Sequence, residues 1–126
     1  MTESKIGTIG WIDLTVDNAV DVKNFYAKVT GWTEHAFSMG DYDDFMMIPK
    51  DSENPVSGIC HRKGGNADIP KGWMLYIVVD NLEQSVADVN ALGGQVLTDV
   101  KNYGDQGKYV YIKDPSGSCC ALFQMT

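Results

Sequence analysis

The sequence predicts an α+β fold made of two βαβββ modules. Three observations carry that prediction. The stretch Trp11 to Trp32 reads as a strand running into a capped helix that stops at a glycine. The same landmarks return at a constant offset of 63 positions, half of the 126 residues: Val16-Asp17-Asn18 recurs as Val79-Asp80-Asn81, and Gly31 as Gly94. Each strand-helix unit is then followed by three strand-like segments in the same order, the layout of an internal duplication.

Ile9 to Val16 alternates, with Trp11, Asp13 and Thr15 on one face and Ile12, Leu14 and Val16 on the other. Asn18 is placed to cap the first helix, because its side-chain oxygen can take a free amide there. Val22, Phe25, Tyr26 and Val29 follow the spacing of one buried helical face, and Gly31 can end the helix in a left-handed conformation. Trp32 to Ser38, Asp44 to Ile48 and Val56 to His61 read as strands. A turn at 39–43 and a loop with two prolines at 49–55 separate them. Met46-Met47 reads as core.

Residues 63–71 form a linker by composition, between modules of about 7–62 and 72–126 in a single domain spanning 1–126. Trp73 to Val79 is the first strand of the second module. Asn81 caps its helix, with Gln84 completing a capping-box pattern. Leu82, Val86, Val89 and Leu92 mark the buried face, and Gly93-Gly94 the end. Gln95 to Val100 reads as a strand and 102–107 as a turn. Lys108 to Lys113 is a strand that alternates Tyr109 and Tyr111 with Val110 and Ile112, and Cys119 to Gln124 is the last strand.

Bulk properties narrow the function. A formal charge of −7 argues against nucleic acid and anionic membranes as partners, since both need a basic patch. Asp41, Asp43 and Asp44 form only a small acidic turn. No apolar run approaches membrane-spanning length. The polar opening Met-Thr-Glu-Ser-Lys lacks the apolar core of a signal peptide. Cys60, Cys119 and Cys120 are an odd set with two adjacent, a poor disulfide framework, so the expected setting is reduced and cytoplasmic. His35 and His61 read as surface histidines.

The most specific landmarks are Asp17-Asn18 before a helix containing Phe25-Tyr26, the helix end Gly31-Trp32, the second helix end Leu92-Gly93-Gly94, and the turn Asp114-Pro115-Ser116-Gly117. In this order, from about Ile9 to Phe123, the chain resembles the vicinal oxygen chelate superfamily, which includes glyoxalase I, bleomycin-resistance proteins and extradiol dioxygenases. The resemblance implies a glyoxalase-like fold in which the strands form a cupped mixed sheet. It also implies that metal-dependent members draw ligands from the first and last strand of each module. In this chain the corresponding corners are Trp11, Gly58, Met74 and Ala121. None is a His, carboxylate or thiolate donor. Asp13 and Cys60 are the nearest donor-capable residues on the same faces. No metal site and no cofactor are expected; a divalent metal is the alternative.

Strand parity then defines the candidate ligand-binding set: Trp11, Asp13, Thr15, Cys60, Met74, Tyr76 and Phe123. A mainly apolar, aromatic surface with a few polar groups suits a small-molecule pocket, and equally an ordinary core between sheets. Asp13 is the candidate catalytic residue. It either bonds Tyr76 or a backbone amide structurally, or it orients a ligand or acts as a base. The resemblance implies a small-molecule-binding protein of the glyoxalase/bleomycin-resistance type, a group whose sequestering resistance proteins are often homodimers. The alternatives are a lyase, isomerase or dioxygenase of the same superfamily, and a regulatory or interaction module whose cup is filled by side chains.

Overall fold

The computed structural model describes residues 5–126. The polar opening, read above as lacking a signal peptide, falls largely outside them. Nine strands and two α-helices are described, with both parallel and antiparallel strand pairs, so the α+β class and the mixed sheet are as predicted. Two compact units divide the chain. One is Ile12–Trp73; the other comprises Met74–Thr126 together with the segment that ends at Trp11.

In the Ile12–Trp73 unit the strand order is β2 (Thr33–Ser38), β3 (Asp43–Ile48), β4 (Ser57–His61), β1 (Ile9–Val16). β1 and β4 run parallel and the other neighbours antiparallel. Helix α1 (Ala19–Thr30) starts as predicted: the Asn18 side chain accepts a hydrogen bond from the Asp21 amide at 3.2 Å. It ends at Gly31, whose φ of 82° is the left-handed conformation a glycine adopts without a Cβ clash.

The core of this unit is Leu14, Ala19, Phe45, Met47 and Ile59, with Val22, Tyr26, Trp32 and Trp73 packed against it. The predicted helical face is therefore corrected. Ala19, Val22 and Tyr26 face the sheet, whereas Phe25 and Val29 are 58% and 64% exposed. The contact arc is turned toward Lys23, whose ammonium pairs with Glu34 at 2.7 Å and sits 4.9 Å above the Phe45 ring. A lysine stem thus covers apolar surface that the spacing assigns to Phe25. Trp73 donates its indole N–H to the Tyr26 hydroxyl at 3.2 Å.

His61 is also corrected. It is buried, not a surface histidine. Its Nδ1 lies 2.9 Å from the Asp43 carbonyl, and Tyr42 and Phe45 flank the ring. His35 is exposed, as expected. The 63–71 segment carries a short 3-10 turn at Gly64–Asn66. Arg62 ties it down by donating to the Ile69 and Thr15 carbonyls at 2.5 and 2.8 Å.

In the other unit the order is β5 (Trp73–Val78), β9 (Cys119–Met125), β8 (Gly107–Lys113), β6 (Gln95–Val96), and β7 (Lys101–Tyr103) also pairs with β8. Helix α2 (Leu82–Ala91) covers a core of Leu82, Val110, Ile112 and Leu122, joined by Ile77, Val86 and Val89. Leu92 is a correction: it lies past the last helical turn and is 75% exposed. The Asn81 side chain accepts from the Gln84 amide at 3.1 Å, which is one half of the predicted capping box. The Gln84 side chain does not reach back to complete it; it donates to Asp88 at 3.0 Å. The Leu82 amide is taken by the Gln124 side-chain oxygen at 2.7 Å.

The predicted strand Gln95 to Val100 is shorter, and the predicted turn at 102–107 is partly strand. β6 pairs Gln95 with Lys113, and β7 pairs Lys101 with Tyr109, so the register slips by two residues between them. The bulged residues still bind β8. The Leu97 amide donates to the Tyr111 carbonyl at 2.9 Å, and Thr98 Oγ1 accepts from the Tyr111 amide at 3.3 Å. A bulge of this kind re-aims a strand without breaking its sheet.

Candidate functional site

Each unit has one sheet face covered by its helix. The opposite face carries the chemistry, because alternate residues of a strand point to opposite sides.

In the Ile12–Trp73 unit that face brings together Asp13, Thr15 and Cys60. β1 and β4 pair Asp13 with Gly58 and Thr15 with Cys60. Thr15 is buried, while Asp13 and Cys60 are half-buried. Asp44 of β3 joins them, a residue that the sequence marks only as part of an acidic turn. It is 6% exposed, and its Oδ1 accepts the His61 amide at 2.8 Å. Burial pushes the Cys60 thiol well above its ordinary range, followed by the nearby charges of Asp13 and Asp44 and a hydrogen bond to Asp44. Cys60 is therefore a neutral thiol at physiological pH, not a thiolate nucleophile.

In the other unit the face carries Met74, Tyr76, Ala121 and Phe123, all buried. Trp11 is half-buried. Parallel pairing sets Tyr76 opposite Ala121 and Val78 opposite Phe123. β8 adds Tyr109 and Tyr111, paired with Phe123 and Ala121. The Tyr76 and Tyr111 hydroxyls hydrogen-bond to each other. The three tyrosine rings meet edge to face, with centroids 5.8–6.0 Å apart. Tyr109 also lies within 16° of parallel to Phe123, at 6.3 Å. Tyr109 and Tyr111 lie outside the sequence-derived set because the resemblance points to the first and last strand of each module. Their alternation with Val110 and Ile112 is the signal that could add them.

The positions to which the resemblance assigns the family's metal ligands are Trp11, Gly58, Met74 and Ala121, none with an imidazole, carboxylate or thiolate donor. Among the described residues no group of three or more His, Cys, Asp or Glu is placed to hold a metal ion. This donor set does not fit the family's metal.

Mixed strands in two units, each with a helix covering one sheet face, define the class as a duplicated βαβββ protein. A model of the Glyoxalase/Bleomycin resistance protein/Dioxygenase superfamily matches residues 8–119, and the chain belongs to that superfamily. CFP32 of Mycobacterium bovis, which bears a provisional glyoxylase name, is 29% identical over 132 residues, covering 98% of this chain and 48% of its own length. The anthracycline biosynthesis protein DnrV of Streptomyces peucetius is 23% identical, covering 98% of this chain and 49% of its own. The chain thus spans about half the length of the curated relatives it matches. The crystal structure of methylmalonyl-CoA epimerase from Mycobacterium tuberculosis superposes with a TM-score of 0.56 at 13% identity, covering 100% of this chain and 93% of that one. At that identity the likeness shows the fold alone.

Proposed function

We propose that this protein binds a small organic molecule on a sheet face opposite a helix, without a resident metal. The observation that carries the reading is the composition of that face in the Met74–Thr126 unit, three tyrosines with Phe123 and Met74. Aromatic rings supply broad contact at little entropy cost, and a few hydroxyls set orientation. In the Ile12–Trp73 unit Asp13, on a face with Cys60 and Asp44, is the carboxylate that would orient a ligand on that unit's own face. A reduced, cytoplasmic setting and a homodimer complete it; the three cysteines are free, which supports the first.

Thermal-shift screening of a metabolite and natural-product library tests the proposal. At least one compound is expected to raise the melting temperature, and Tyr76→Phe to reduce that shift. A library without a single stabilising compound would overturn the reading. Elemental analysis of protein purified without added metal is expected to find far less than one metal per chain; a stoichiometric, tightly held metal would contradict the metal-free part.

A further inference from the structure

β2 (Thr33–Ser38) is the end strand of the Ile12–Trp73 unit. Among the described residues it pairs only with β3, in an unbroken register from Thr33 opposite Ile48 to Ser38 opposite Asp43. Every one of its residues is exposed. Alternate amides and carbonyls of such a strand point away from its one neighbour and offer a second ladder. Edge strands are ordinarily guarded by proline, lysine, a bulge or short length. Thr33-Glu34-His35-Ala36-Phe37-Ser38 carries none of these guards. β6, the end strand of the other unit, does: it is two residues long and is followed by the register slip.

The side chains of β2 complement a second copy of the same strand. Glu34, its one carboxylate, is drawn toward helix α1 by the Lys23 ammonium at 2.7 Å. Alternation then puts Glu34, Ala36 and Ser38 on the helix side and Thr33, His35 and Phe37 on the other. A twofold axis perpendicular to the sheet keeps the helix sides together, so each residue meets one of its own parity. With the axis at Ala36, Ala36 lies against Ala36 of the second copy. His35 then meets Phe37 of the second copy, Glu34 meets Ser38, and each contact occurs again by symmetry. The result is a small residue on the axis, flanked by aromatic and carboxylate–hydroxyl pairs, with no like charges opposed. Phe37 and Met39, 51% and 42% exposed, gain cover at the ends of the shared ladder.

We infer that β2 is the interface of a homodimer, in which two copies join their sheet edges antiparallel about a twofold axis at Ala36. This rests on the homodimer named in the reading above and assigns it a surface and a register; the small-molecule part of that reading does not depend on it.

The test is sedimentation equilibrium over a range of protein concentrations, with amide hydrogen exchange followed in parallel. Wild type is expected to dimerise, and the β2 amides that point away from β3 to become protected as the dimer forms. Ala36→Lys, which opposes two ammonium groups at the axis, should raise the dimer Kd at least about tenfold. Leu92→Lys, an equal change of charge at a residue 75% exposed past the end of α2, should leave the Kd unchanged. Far-UV circular dichroism matching wild type confirms that both variants are folded. A wild type that stays monomeric throughout overturns the homodimer and this interface together. A dimer that is indifferent to Ala36→Lys, or whose β2 amides exchange as fast as in the monomer, overturns the β2 interface and leaves the homodimer standing. Equal weakening by Leu92→Lys would reduce the effect to net charge and also overturn it.

Discussion

The Cys60 thiol lies on a face shared with Asp13 and Asp44, and burial is the first cause of its raised pKa. The folded state therefore holds the thiol proton more tightly than the unfolded chain does. A group of this kind contributes stability that is fully present below the unfolded value, about 8.5, and is lost as pH rises above it. Urea denaturation at pH 7 and pH 10 is expected to show wild type losing more stability than Cys60→Ala across that interval. Equal losses would mean that the fold does not hold the thiol proton. Gly107 is a second case. Its Cβ has no room against Phe123 and the Gln124 carbonyl, so Gly107→Ala is expected to cost about 1–3 kcal/mol by chemical denaturation. Residues of this kind are only partly legible in a sequence. Parity places Asp13 and Cys60 on one face because both of their strands are recognisable. Asp44 escapes the same reasoning because its role depends on which strand β4 pairs with.

At the scale of elements, capping chemistry is the most readable signal. Asn18 and Asn81 both accept the amide three residues on, as their positions predict. Asn81→Ala is expected to destabilise the protein by about 1 kcal/mol in equilibrium unfolding, since Gln84 donates to Asp88 and does not replace the lost cap. Helix faces are less legible. Spacing alone allows Phe25 and Val29 as well as Ala19 and Val22, and a tertiary contact makes the choice: Lys23 over Phe45 and against Glu34. β7 is hidden for a different reason. Gly104 and Gly107 flank Asp105 and Gln106, a composition that marks a turn, and the strand before it reaches β8 only through a register slip. The tight turn at Asp114 shows the opposite case. Its carboxylate accepts from the Ser116 hydroxyl at 2.6 Å and from the Ser116 and Ser118 amides, as an Asp-Pro-Ser-Gly sequence permits.

At the scale of the whole molecule, membership of the superfamily is spread over residues 8–119. The landmarks are those that build the backbone: caps, glycine stops and the Asp114 turn. The four corner residues are not among them, so the backbone can be kept while the donors at the corners differ. Among the described residues no helix is long and apolar enough to cross a membrane. On the reading proposed above, the ligand is received by the helix-free face of the Met74–Thr126 unit and not by the helix surfaces with exposed Phe25, Val29 and Leu92. Backbone amide chemical-shift mapping by NMR, with the most strongly stabilising compound of the screen, distinguishes the two. Perturbations are expected to concentrate on β5, β8 and β9, at Tyr76, Tyr109 and Phe123; perturbations confined to the outer surfaces of α1 and α2 would contradict it.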